Sequence, residues 1–139
     1  MFGTLDISTS ALVAYRTRLD VIAGNIAMKD VTRDADGNSM PYRRRIDLFA
    51  SGDPSRGDGA PGVHVAKIVL DQSAFGLRWD PSHVDAIKEG EQKGYVRTSN
   101  VDPHTEMVNA MTAARAYEAN ITVAEMAKRM AATTLSLVA

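Results

Sequence analysis

The sequence predicts an α+β protein: long N- and C-terminal α-helices paired as a coiled coil, with a small β-rich middle region between them. Two patterns predict it, a seven-residue apolar repeat at both ends of the chain and a two-residue alternation in the middle. Composition agrees, because aromatic residues make up only 6% of the 139 residues while methionine occurs seven times. So few large anchors would not fill a thick globular core, and thin helix-to-helix packing suits them better.

At the N-terminal end Leu5, Leu12, Leu19 and Ile26 recur every seven residues, and Ser8, Tyr15 and Ile22 follow the first three at a spacing of three. This spacing is that of an a/d seam. A helix over residues 5–29 would be about 37 Å long. Thr4 or Asp6 is expected to cap its start, and the polar stretch beginning at Asp30, Val31 and Thr32 to end it.

The middle changes period. Tyr42–Phe49 and Gly62–Leu70 read as strands, the alternating Phe75, Leu77 and Trp79 as a third, and Gly94–Thr98 as a fourth. Asp34–Asn38 is a turn signal. Residues 51–62 and 88–94, rich in Gly and polar side chains, are expected to be flexible loops.

Asp102 followed by Pro103 signals the start of the C-terminal helix, expected over 103–137. A carboxylate can accept from free N–H groups there, and Pro at the first helical position sacrifices no donor. Its seam is Met107, Ala114, Ile121 and Leu135, with Ala110, Tyr117, Ala124, Ala131 and Val138 three residues later and Lys128 as the one break. A second apolar stripe, Val108, Ala119, Val123, Met126, Met130 and Leu137, occupies another face. One partner helix cannot cover both, so periodicity leaves open a small bundle or a multi-subunit lattice with this stripe as the inter-subunit face. The expected organisation is paired terminal helices over 1–31 and 102–139 and a β-rich region over 32–101.

Chemistry-bearing patterns are sparse. A formal net charge of -1 provides no global basic field for nucleic acid. The chain contains no Cys, and His64, His83 and His104 lack metal-ligand spacing. The Ser, His and Asp within Asp80–Asp85 are neighbours in one segment, whereas a triad draws its members from separate elements, so turn chemistry around Pro81 is expected. Gly57–Gly62 lacks the Lys-Ser/Thr of a phosphate loop. Arg43, Arg44 and Arg45 are the one tight basic run, and strand alternation would divide them between two faces. A solvated strand face, or a carboxylate on a neighbouring subunit, is the expected setting for them. No catalytic centre, cofactor, small-molecule substrate or nucleic-acid partner is expected. No secretory signal pattern and no apolar run of membrane-spanning length occurs.

Three segments together carry a resemblance that covers nearly the whole chain. They are Ser10–Leu12 through Arg18–Ala27, ending in Asn25-Ile26-Ala27-Met28; Met40–Arg45 with Gly62–Val65 and Trp79–Asp85; and Gly94–Val96, Ser99–Asp102, Glu106–Val108 and Arg115–Asn120. The chain resembles the bacterial flagellar rod and hook axial family, most closely its C-type proximal rod branch. Met28 stands where the family motif ends in Asn, which is expected to alter how the first helix ends, since Asn supports a left-handed cap and Met does not.

The resemblance implies a structural subunit of the basal-body rod crossing the periplasm, with paired terminal helices as the inner layer of a tube and the β-rich region outside. Implied partners are copies of itself, other proximal and distal rod subunits, the export-gate adaptor and the flagellum-specific type III export apparatus, with export needing no cleaved signal peptide. It also makes Asn25, Asn100, Asp102, Arg115 and Asn120 the motif residues expected to fix helix ends and subunit contacts. Alternatives are another axial rod component or a stand-alone helical adaptor.

Overall fold

The computed structural model describes residues 2–57 and 59–138, apart from the side chains of Phe2, Arg56 and Val138; the seam assignment of Val138 lies outside the described side chains. The chain runs α1 (Phe2–Ala27), β1 (Arg45–Ser51), a 3-10 turn (Pro54–Arg56), β2 (Val63–Leu70), β3 (Gly76–Trp79), β4 (Tyr95–Thr98) and α2 (Pro103–Val138). Because α1 already starts at Phe2, Thr4 and Asp6 sit inside the helix instead of capping it. Its last turn closes with the Met28 N–H donating to Gly24 O at 3.0 Å. Among the described residues no residue other than glycine has a positive φ, so Met28 forms no left-handed cap.

The middle forms two separate antiparallel ribbons, β1–β2 and β3–β4. In the first, Arg45 pairs with Leu70 and Leu48 with Lys67; the register then shifts so that Phe49 pairs with Val65, leaving Ala66 as the extra residue of a bulge. This ribbon packs on α1. Ser10 ties the two together: its hydroxyl donates to Ile7 O at 2.8 Å and accepts the Val63 N–H at 3.1 Å. The β1–β2 ribbon is therefore seated on the first helix along one side.

In the second ribbon Trp79 pairs with Tyr95, their rings edge-on with centroids 5.0 Å apart. Gly94 enters β4 at φ +83°, and a Cβ there would lie 2.6 Å from the Trp79 ring. Gly94→Ala is expected to destabilise the chain by about 1–2 kcal/mol through the left-handed backbone, and to displace Trp79. Because Trp79 is the sole Trp of the chain, urea denaturation followed by its fluorescence reads both effects.

The helices α1 and α2 pack against each other. Asn25, near the end of α1, bonds Glu106, near the start of α2, so the two run in opposite directions. The buried residues of the two helices are mostly small: Ser8, Ala11 and Ala14 on α1, the last of them beside β2, and Ala113 and Ala127 on α2, with Ile22 the one large apolar side chain among them. Small side chains let the backbones approach closely.

The buried line on α2 is Glu106, Ala113 and Ala127, with Ala110, Tyr117, Asn120, Ala124 and Ala131 half-buried beside it. This corrects the seam read from periodicity, because Met107 (59% exposed), Ile121 (37%) and Leu135 (71%) point to solvent and Ala114 is only half-buried. The helix is rotated by one residue from the heptad expectation. Burial of Glu106 against Asn25 fixes the rotation, and the Ala side chains at 113 and 127 accept it without a clash. On α1 Leu5, Leu12, Leu19 and Ile26 are half-buried. The half-buried Tyr15 also reaches the sheet: its ring meets Phe49 of β1 edge-on at 5.4 Å.

Candidate assembly site: a polar clasp where the helices meet

Where α1 ends, β1 begins and α2 starts, polar side chains lock the three together. Asn25 and Glu106 are each only 1% exposed, and a buried amide or carboxylate is tolerable only when its bonding capacity is met. Asn25 Oδ1 accepts the Arg45 N–H at 2.9 Å and the Tyr42 hydroxyl at 3.0 Å. Its Nδ2 donates to Arg45 O at 2.8 Å and to Glu106 Oε2 at 2.9 Å. The other oxygen, Glu106 Oε1, takes Arg44 Nε at 2.8 Å and Nη2 at 2.7 Å. Among the described residues no buried side-chain nitrogen or oxygen lacks a partner.

Asn100 extends the clasp to the segment following β2. Its Oδ1 accepts the Arg44 N–H at 2.8 Å, and its Nδ2 donates to Ser73 Oγ at 2.8 Å and Asp71 O at 3.3 Å. Arg43 donates to the Asp71 and Ser73 carbonyls at 2.8 and 3.0 Å and lies over the Phe75 ring at 4.2 Å. Arg44 also reaches Asp71 Oδ2 at 3.4 Å. The three consecutive arginines thus have separate tasks. The expected solvated strand face holds for Arg45, which is exposed on β1, but is corrected for Arg43 and Arg44: both precede the strand, and the carboxylates that Arg44 meets belong to the same chain.

Two more ion pairs brace the frame. Arg18 Nε donates to buried Asp47 Oδ2 at 2.8 Å while its guanidinium lies 3.9 Å from the Phe49 ring, fastening α1 to β1. Arg33 binds both oxygens of Asp85 at 2.8 and 3.1 Å, and the Thr32 hydroxyl donates to the same carboxylate at 2.9 Å. The segment Asp80–Asp85 is a turn: the His83 N–H donates to Asp80 O at 3.2 Å, and Ser82 Oγ donates to Asp80 Oδ1 at 2.9 Å.

Asp102 stands directly ahead of α2 and accepts the His104 N–H at 3.1 Å, the Thr105 N–H at 3.4 Å and the Thr105 hydroxyl at 2.6 Å. Asn120 does not fix a helix end; it lies mid-helix and donates to Ala116 O at 2.8 Å. Arg115 is exposed, as are Val108, Val123, Met126, Met130 and Leu137. Sequence reasoning missed Arg18, Tyr42, Arg44, Asp47, Asp71 and Glu106 as parts of this frame. The available signal was a repeat of Glu106, Ala113, Asn120 and Ala127 one residue ahead of the apolar heptad.

Several carboxylates are held below the usual range. The Arg33 hydrogen bond does so for Asp85, the Thr105 hydroxyl and the His104 N–H for Asp102, and the Ser73 N–H for Asp71. A lowered folded-state pKa gives stability that is present above the unfolded value and lost as pH falls through the folded one. Acid destabilisation is therefore expected to set in below about pH 4. In urea midpoints measured across that window, Asp85→Asn is expected to show a shallower fall than the parent chain.

Chemically the clasp is engaged: both Glu106 oxygens accept hydrogen bonds, one from Asn25 and the other from Arg44, so the carboxylate is not a free base. Among the described residues no group of three or more His, Asp or Glu side chains could hold a metal ion, and no helix is long and apolar enough to cross a membrane.

Residues 92–137 match a family model described as flagellar basal body rod FlgEFG protein C-terminal. A flagellar basal-body rod protein FlgC from Borreliella burgdorferi is 39% identical over 149 residues, covering 99% of this chain and 97% of the relative. Proteins of the same name from Bacillus subtilis (39%, covering 93% and 92%) and Salmonella typhimurium (38%, covering 99% and 97%) are similar over almost their whole lengths. The chain belongs to the flagellar basal-body rod FlgC family. Within this rod-family chain the clasp bridges the matched and unmatched parts. Asn100 and Glu106 fall inside residues 92–137, whereas Asn25, Tyr42 and Arg44 lie outside.

Proposed function

We propose that the chain is a structural subunit of the proximal rod of the flagellar basal body, part of the shaft that carries motor torque outward. Similarity to basal-body rod proteins across nearly the whole chain carries this reading. The geometry suits a load-bearing part, because charge-assisted bonds join α1, β1 and α2 at one point and resist sliding of one helix along the other. In this reading the α1–α2 pair is a coiled coil in the inner layer of the tube, as the seven-residue spacing from Ala110 to Ala131 supports, and the two ribbons lie outside it.

The finer assignments belong to the same proposal. Copies of the chain, other proximal and distal rod subunits and the export-gate adaptor are its partners, and the flagellum-specific export apparatus carries it into the rod crossing the periplasm. The thin alanine interface supports export of an unfolded chain, since it buries little apolar surface to offset the entropy of ordering before neighbours are present. In a strain deleted for its own copy, the chain is expected to restore swimming and to co-purify with basal bodies. Swimming that persists without it, or basal bodies that lack it, would overturn the reading.

A further inference from the structure

Each β-ribbon has only two strands, so each keeps its outer edges. Which backbone groups point outward follows from the ladder. The Asp71 N–H donates to Arg44 O at 2.8 Å, so pairs in step with it carry the inter-strand bonds, and the alternate pairs Arg45–Leu70 and Asp47–Ile68 do not. Side-chain bonds agree with this assignment. Asn25 takes the outward N–H and carbonyl of Arg45, Ser10 the outward Val63 N–H, and Gln72 Nε2 the outward Leu70 O at 3.2 Å. Among the described residues no backbone group outside the ribbon bonds the outward N–H and C=O of Ile68.

The side chains at this edge are open as well. Ile68 and Leu70 pair with Asp47 and Arg45 and so share the face that turns to α1, where buried Asp47 meets Arg18. Yet they are 48% and 51% exposed. Helix α1 crosses that face diagonally, from Ser10 at the outer edge of β2 to Asn25 at the outer edge of β1, and leaves this corner uncovered. A groove of about 860 Å³ between α1 and β2 reaches it, with exposed Val13 on one wall and Ile68 on the other.

Strand β3 offers the complement. The Asp80 N–H donates to Gly94 O at 3.1 Å, so by the same alternation Leu77 and Trp79 turn their N–H and C=O groups away from β4. Their side chains share one face and are 45% and 61% exposed. Laid antiparallel along β2, β3 sets Trp79 opposite Ile68 and Leu77 opposite Leu70. Both outward rows then meet in a single register, and the bulge at Ala66 falls outside it. The chain's own β3 is held elsewhere, because Asp71 and Ser73, which lead away from β2, are bonded by Arg43 and Asn100.

We propose that β3 of one chain adds to the free edge of β2 in a second copy, with Trp79 entering the groove beside Val13. This is strand addition, in which main-chain bonds hold the partner and alternate side chains select it. A Trp that becomes buried at such a contact is a common anchor. The two edges differ, so the contact is head-to-tail and propagates through a ring or a helical array. The proposal rests on the rod-subunit reading for its setting and adds a contact made outside the terminal helices.

In this register Val69 faces Arg78 at a pair without inter-strand bonds, where Cα atoms approach to about 4.5 Å, within the span of a disulfide. The chain has no Cys of its own. Val69→Cys and Arg78→Cys, carrying different tags, are expressed together in a strain deleted for its own copy, and the purified basal bodies are oxidised with copper-phenanthroline. A disulfide joining the two tags is expected at about tenfold the yield of Val84→Cys with Arg78→Cys, because only facing positions gain local concentration. Val84, 78% exposed, is accessible without facing Arg78 in this register. Adding Ile68→Pro to the Val69→Cys chain is expected to lower the yield about fivefold, the effect of one lost hydrogen bond. Proline there lacks only the outward N–H, so the ladder with β1 stays intact.

Basal bodies that hold both chains yet give no mixed disulfide, equal yields from Val69→Cys and Val84→Cys, or a yield unchanged by Ile68→Pro would each overturn the strand addition. So would a dominant disulfide within one chain when Val69→Cys and Arg78→Cys are combined, since the chain's own β3 would then occupy the edge. Absence of the parent chain from basal bodies overturns the rod reading instead, and is seen before any oxidation.

Discussion

Replacing Glu106 by Ala is expected to lower the stability of the chain by about 3–5 kcal/mol, the usual consequence of removing one partner from a buried ion pair. The carboxylate is 1% exposed and accepts from Arg44 through two nitrogens and from Asn25 through one. Its loss leaves the Arg44 guanidinium three-quarters buried with only the longer contact to Asp71, and an Asn25 N–H facing a void. Glu106→Gln is a sharper probe. Asn25 cannot flip to accept from the new amide, because its oxygen is held by the Arg45 N–H and its nitrogen by the Arg45 carbonyl. The glutamine must therefore turn a donor toward either Arg44 or Asn25. A loss of about 1–3 kcal/mol is expected. Urea denaturation of the two variants measures both values, and a neutral result for Glu106→Ala would mean that the clasp does not hold the helices.

The second large effect separates the observed interface from the one that periodicity describes. Ala113 is 1% exposed on the α1-facing side of α2, and Ala113→Asp puts an unpaired charge in that interface. A loss above about 3 kcal/mol is expected, large enough to separate the helices in a chain with so thin a core. Met107→Asp, placed in the seam by the heptad pattern but 59% exposed, is expected to stay within about 0.5 kcal/mol of the parent. Circular dichroism melts of the isolated chain decide between them. The reverse order of effects would restore the heptad seam.

Much of the architecture was legible from local patterns. The start of α2 needed only Asp102 and Pro103, because capping is settled within four residues. Four strands could be read from alternation, with boundaries displaced by one to three residues. The arginine run was harder. Its alternation was applied to residues that precede the strand, so the tasks of Arg43 and Arg44 were invisible until Asp71, Ser73 and Glu106 were placed around them. Tyr15 likewise fitted a heptad, yet its ring found Phe49, far away in sequence and absent from any helical repeat.

What the sequence determined by itself was therefore the set of elements, their order and the family, since these depend on local spacing and on motifs within single segments. The tertiary structure alone decided which face of α2 turns inward and why. Two stripes one residue apart, Met107–Leu135 and Glu106–Ala127, compete for α1, and apolar content favours the first. A buried carboxylate bonded to Asn25 and Arg44 over 81 and 62 residues of sequence selects the second. Hydrophobic attraction is non-directional and tolerates either rotation, whereas these hydrogen bonds are directional and admit only one.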